Sequence, residues 1–410
     1  MTGDRMTKGL PIAASLSLDD VAGKGWRLLA GDTPTPVAVL HEGAVNHNIE
    51  VMARFCAAAG VAIAPHGKTT MTPDLVRRQL RAGAWGITAA NAHQAAALVG
   101  AGVRRVLIAN EVVDPHALSW LANTLRDQQD VELLWYVDSV RGLHAARDAV
   151  FEADRAARLL VELGHDAGRT GLRDDDEAIA LARQVAASPR VQLAGVAGYE
   201  GTISSQRDGA TEQSVREFVE RIANAHERCA TEGLLADDAI VTAGGSLFFD
   251  VVAEVLAPRS VDSTVVLRSG CYVTHDHGLY ASGTPSGLPS WAFEPFRPAL
   301  EVWCRVVSRP EPDLVLLDAG RRDLSHDAGL PTPLAWSRPS SPGRRPLRGA
   351  TVPALSDQHA FVRVAADSEV AVGDLVGLGI SHPCTTFDRW PVLLLLDQED
   401  VVTGAVETLW

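Results

Sequence analysis

The chain is poor in cysteine. Only five occur among 410 residues, Cys56, Cys229, Cys271, Cys304 and Cys384, scattered and odd in number. That excludes a disulfide framework and points to a reducing compartment, so a cytoplasmic location is expected. Positive charge is also short: 37 Lys and Arg stand against 51 Asp and Glu, a formal net charge of −14. Such a surface repels nucleic acid and anionic membrane, and neither is an expected partner. No apolar stretch approaches the ~20 residues of a membrane-spanning helix. The opening "MTGDRMTKGLPIAASLSLDD" has basic residues and a short apolar run, but acids follow it rather than a cleavage site. No secretory leader is therefore expected.

What is present is apolar sequence in short, repeated runs. Hydrophobic residues make up 46% of the chain and charged residues 21%, enough for one large domain and a smaller one. The runs are "VAIAP" (61–65), "AWGITAA" (84–90), "RVLIAN" (105–110), "ELLWYVD" (132–138), "RLLVELG" (158–164), "VQLAGVAGY" (191–199), "AIVTAGG" (239–245) and "STVVLRSG" (263–270). Stretches of helical spacing such as "TEQSVREFVERIANAHERCATEGL" lie between them. Continuous apolar strands alternating with amphipathic helices indicate a parallel sheet covered on both faces. Eight such units favour an α/β fold with an N-terminal (β/α)8 TIM-like barrel, over residues 36–290. An open doubly wound sheet is the alternative.

Beyond residue 290 the runs become strand-like with turn residues between them, so 291–410 is expected to form a mainly-β domain. Within it, "LPTPLAWSRPSSPGRRPLRGATVP" reads as a long loop. The early run "PTPVAVLHEGAVNHNIEVM" reads as a strand feeding a helix, and is expected to pair with the C-terminal domain. Residues 1–35 form an N-terminal extension.

Three clusters carry chemistry. In "IAPHGKTTMTPDL", Lys68 stands just past the first barrel strand, at the face where catalytic groups of barrels collect. An amine there is placed to form a Schiff base, although a solvated surface lysine also fits. "TAGGSLFFD" brings two glycines and a serine to the seventh strand's end, a turn whose N–H groups suit a phosphate, or simply a tight turn. "LRSGCYVTHDHG" follows the eighth strand. In "ISHPCTTFDRW", His382 and Cys384 are spaced so that a strand would point both to one side, and imidazole with thiolate suits zinc. His-x-Cys is too short to be specific. His359, in "LSDQHAFV", is a candidate neighbour, whereas His275 and His277 read as solvated loop residues.

Together these segments resemble the D-threonine aldolase / D-serine dehydratase family, pyridoxal phosphate enzymes with an alanine-racemase-like fold (fold type III). The resemblance covers about residues 35–410 and rests on "PHGKTT", "LVELGHDAGRTG", "GYEGT", "TAGGS", "LRSGCYVTHD", "SDQHA" and "SHPCTTF". It implies that Lys68 is the catalytic lysine and binds the coenzyme together with His66, Arg169, Tyr199, Thr242, Gly244, Gly245, Ser246 and Tyr272. It implies metal ligation by His382 and Cys384 and substrate binding by His359 and Thr69. Glu162 departs from the family's usual aspartate, and "TTMTP" from the basic residue or histidine often found there. The implied activity is a D-serine dehydratase-like ammonia-lyase acting on D-serine or a related β-hydroxy D-amino acid. The thiolate of Cys384 implies zinc and dehydration. The alternative is a D-threonine aldolase using manganese, and further off an amino-acid racemase or a non-catalytic coenzyme-binding protein. A homodimer is expected.

Overall fold

The computed structural model describes residues 7–11, 16–151, 153, 155–260, 262–283 and 294–410. The expected domain junction at residue 290 lies outside the described residues. Strand β1 (Val37–His41) comes first. Eight parallel strands follow: β2 (Ala62–Ile63), β3 (Ile87–Ala89), β4 (Arg105–Glu111), β5 (Glu132–Val137), β6 (Ala157–Leu163), β7 (Val191–Gly198), β8 (Ile240–Ala243) and β9 (Thr264–Leu267). They pair in the order β2-β9-β8-β7-β6-β5-β4-β3. The seam between β2 and β3 is closed by Trp85 N–H on Ile63 O at 2.8 Å, Thr88 N–H on Pro65 O at 2.9 Å and a parallel bridge between His66 and Thr88. The barrel is thus closed, and the open doubly wound sheet is excluded.

Strand β5 shows why its sequence lacks polar alternation. Leu133, Trp135 and Val137 pack under the helices, while Leu134 and Tyr136 fill the barrel interior with Ala64, Leu107 and Leu160. Successive residues face opposite sides and both sides are covered, so both must be apolar. The barrel wall also demands Gly195, whose φ is +143° and where a Cβ would meet Ile240 O at 1.7 Å. Around the barrel, the helix Gly209–Thr231 is capped by Asp208, whose side chain accepts from Thr211 N–H at 2.8 Å. It buries Val215, Phe218, Val219, Ile222 and Cys229, the three-and-four spacing of one helical face.

The C-terminal domain contains β10 (Leu300–Glu311), β11 (Leu314–Leu317), β12 (Thr332–Arg338), β13 (Ser341–Pro346), β14 (Thr351–Leu355), β15 (Ala360–Arg363), β16 (Leu375–Gly379), β17 (Val392–Leu396) and β18 (Val402–Glu407). Its main path runs β13-β12-β16-β10-β1-β17-β18. Strand β1 lies antiparallel to β10, with Leu40 opposite Leu300, and parallel to β17, with Val39 opposite Leu394. The early strand therefore joins the two ends of the chain, as its sequence suggested. Val21 and Leu28 of the N-terminal extension are buried against the same sheet with Trp303 and Leu394.

One reading is corrected here. The Pro/Arg-rich stretch is not a long loop but the hairpin of β12 and β13. Its prolines are tolerated because β13 is an edge strand, while Pro333 sits where the pairing of β12 with β16 is irregular.

Candidate active site

Lys68 lies in a single 3-10 turn, Gly67–Thr69, just beyond β2. It is half-buried, and its Nζ has no hydrogen bond or ion pair among the described residues. Beside it, the Nδ1 of His66 is enclosed without a partner. Burial, then the charges of Lys68, Arg268 and Arg169, hold that imidazole well below its usual pKa, so it is neutral. Thr69 is buried in the same turn.

Loops after the neighbouring strands complete the rim. Arg169, after β6, lies over the ring of Tyr199, 4.6 Å from its centroid. Burial pushes the Tyr199 phenol up to about 12. Arg268, just past β9, donates to Thr242 Oγ1 at 2.7 Å and to Gly198 O at 2.6 Å. Thr242 in turn donates to Val266 O, so it braces Arg268 and the strands. Sequence reading missed a carboxyl pair in the same mouth. Burial, then the neighbouring Glu162, pushes Glu111 up to about 9, which leaves it protonated at neutral pH. Only the fold brings the end of β4 and the end of β6, on either side of β5, to one mouth.

The glycine turn after β8 holds an anion, but not a free one. Gly244 N–H donates to Glu200 Oε2 at 3.0 Å, and Gly245 N–H donates to Oε1. Gly244 has φ +99°, and a Cβ there would lie 2.9 Å from Leu267 Cδ2. Both donors of the turn are thus taken by a buried side chain that sequence reading did not single out, and neither is free for a phosphate. Ser246 Oγ accepts from Cys271 N–H at 3.3 Å.

The third cluster is arranged differently from its expected strand. His382 caps the short helix Pro383–Phe387, so it and Cys384 are not paired on one strand face. His382 Nδ1 is 2.6 Å from Asp327 Oδ2, which leaves Nε2 as its open nitrogen. Cys384 Sγ lies 3.6 Å from Cys271 Sγ and 3.7 Å from Thr69 Oγ1. The bond from Cys271 holds the Cys384 thiol below its ordinary pKa, and Cys271 is raised in return. The thiol of the β-domain therefore reaches the lysine turn of the barrel.

Other expected residues are placed elsewhere. Tyr272 is buried, and its hydroxyl accepts from Gln79 Nε2 at 3.0 Å. His359 is exposed on the turn between β14 and β15, and among the described residues its side chain makes no hydrogen bond to the Lys68 turn. His275 is not solvated: it is buried, and burial pushes it down to about 4. His277 is half-buried with its Nδ1 enclosed, because the chain crosses there beneath β16 and its N–H bonds Ile380 O. Among the described residues no three His, Cys, Asp or Glu converge as a metal cluster.

An unpaired amine and an enclosed imidazole between arginines fit pyridoxal phosphate, whereas the Gly244 and Gly245 amides are already occupied by Glu200. His382 Nε2 and the Cys384 thiolate are nitrogen and sulfur donors of the zinc type, and Asp327 orients the imidazole. No described helix is long and apolar enough to cross a membrane.

Comparisons with known proteins agree with this geometry. Residues 40–246 match the model described as "Alanine racemase, N-terminal domain", and 299–396 the one described as "Putative serine dehydratase domain". The chain is 30% identical to a D-threonine aldolase of Arthrobacter sp. over 401 residues, 97% of each chain. It is 25% identical to a D-threo-3-hydroxyaspartate dehydratase of Delftia sp. (strain HT23), across 91% of this chain and 96% of the other. Among solved structures, the D-threonine aldolase from Filomicrobium marinum superposes with a TM-score of 0.79 at 25% identity, covering 94% of this chain and 97% of that one. The chain belongs to the alanine-racemase-like family of pyridoxal phosphate lyases that includes D-threonine aldolases and D-threo-3-hydroxyaspartate dehydratases.

Proposed function

We propose that this chain is a pyridoxal phosphate-dependent dehydratase of β-hydroxy D-amino acids, D-serine or a close relative, releasing ammonia and, from D-serine, pyruvate. The observation that carries this is Cys384, a thiol two residues from His382 that reaches Thr69 beside Lys68. A cysteine-to-alanine variant of a D-threo-3-hydroxyaspartate dehydratase has been solved in a metal-free form, and another variant of that enzyme changes a histidine two positions earlier. His382 and Cys384 have that spacing.

Bound in the mouth, pyridoxal phosphate supplies the electron withdrawal that loosens bonds to the substrate's Cα. Lys68 Nζ, unpaired in the turn, holds the coenzyme and then takes the proton from Cα. The neutral imidazole of His66 lies beside the amine, while Arg169, over the ring of Tyr199, offers a cation at the rim. His382 and Cys384 would hold a divalent cation, zinc in this reading, whose Lewis acidity suits departure of the β-hydroxyl. Asp327 fixes which nitrogen of His382 is free for it.

A second reading, D-threonine aldolase with manganese, is favoured by the Arthrobacter relative. D-Threonine separates the two: dehydration yields 2-oxobutanoate and ammonia, retro-aldol cleavage yields glycine and acetaldehyde. Chelator-sensitive pyruvate from D-serine and 2-oxobutanoate from D-threonine are expected. Glycine and acetaldehyde with no oxo acid would overturn the dehydratase reading.

A further inference from the structure

Cys271 and Cys384 bring two sulfurs to 3.6 Å across 113 residues of sequence. One stands in the turn Cys271–Val273 past β9, the other in the helix Pro383–Phe387 of the β-domain. All five cysteines are free thiols, and Cys56, Cys229, Cys271 and Cys304 are buried, whereas Cys384 is partly open. Dehydration as read above gives Cys271 no task. A disulfide needs its sulfurs at about 2.05 Å, so closure asks for a shift of about 1.5 Å, within reach of side-chain rotation.

We propose that Cys271 and Cys384 form a reversible redox pair that a hydroperoxide closes into a disulfide between barrel and β-domain. The partly open Cys384 reacts first. Its sulfur attacks one peroxide oxygen, the O–O bond breaks, and with hydrogen peroxide a sulfenic acid forms as water leaves. The Cys271 sulfur then attacks the Cys384 sulfur, the S–O bond breaks, and a second water leaves. Two thiols and one peroxide thus give one disulfide and two waters, and an external dithiol reverses the step. The bond ties the lysine turn's thiol neighbour to the barrel and withdraws it from any cation. That consequence, though not the bond itself, rests on the function proposed above.

Peptide mapping of the holoenzyme after hydrogen peroxide, with and without a chelator, tests the pair. One linked peptide carrying Cys271 and Cys384, two hydrogens lighter than its parts and separated by dithiothreitol, is expected in at least the chelated sample. Free thiols in the denatured protein then fall from five to three. Cys271→Ser is expected to lose the linked peptide and to oxidise at Cys384 beyond recovery by dithiothreitol. Five free thiols in both samples, or over-oxidised Cys384 beside an unmodified Cys271, overturns the proposal. A linked peptide formed with no loss of bound cation supports the redox pair and refutes only the metal role of Cys384.

Discussion

The carboxylate of Glu200 stands on the glycine turn of the barrel mouth, receiving Gly244 N–H at 3.0 Å and Gly245 N–H on its other oxygen. A buried carboxylate is doing there what a phosphate could do. Glu200→Ala leaves two buried N–H groups unpaired, at about 1–3 kcal/mol each. The melting temperature should fall by several degrees. Inorganic phosphate should then raise it more in the variant than in the wild type, because the nest is open. Equal gains, measured by thermal scanning, would mean that Glu200 does not contend with anions.

Among the described residues the Lys68 side chain makes no hydrogen bond or ion pair, so replacing it should spare stability and remove chemistry. Lys68→Ala should unfold within about 0.5 kcal/mol of wild type. Turnover should drop about 10²- to 10⁴-fold or more, and the absorbance of bound coenzyme near the visible edge should vanish. A retained band after dialysis would remove Lys68 from its role.

Asp327 orients His382 from an exposed position. Although partial burial opposes it, hydrogen bonds from Thr385 and His382 keep this carboxyl below its usual pKa. Asp327→Ala should weaken zinc binding about 10- to 100-fold with the fold intact, as competition with a chromogenic chelator would report. Unchanged affinity would mean that His382 is not a ligand.

Glu111 gives the barrel mouth a pH dependence of definite sign. Its pKa is raised from 4.5 to about 9, so between those values the folded state binds more protons than the unfolded. Stability from this group is therefore whole below 4.5 and declines as pH rises toward 9. Glu111→Gln should flatten that decline, raising the melting temperature at pH 8.5 while leaving it nearly unchanged at pH 5. Thermal unfolding at the two pH values checks it, and a parallel shift at both would count against a proton held by Glu111.

Much of this was legible in short stretches. The apolar runs from residue 61 to 270 each became a barrel strand, because a buried parallel strand needs apolar side chains on both faces. "GYEGT" and "TAGGS" placed the right loops at the right rim, yet not the contact between them. The Pro/Arg-rich segment misled because proline signals a loop in isolation, and only its place at a sheet edge makes β13 acceptable. His275 and His277 misled likewise, since nothing local says that the chain above them will cover them.

The amino-acid sequence by itself determined the eight βα units, the β-rich C-terminal region and the position of Lys68 past a strand end. Those features follow from the periodicity of burial and from turn chemistry, both of which act within a few residues. The tertiary structure alone decided that Glu200 takes the Gly244 amide 44 residues away, and that Cys384 meets Cys271 across 113. Such meetings depend on barrel closure and on the packing of the β-domain against its mouth. They are set by the summed burial of the whole core, which no single stretch encodes.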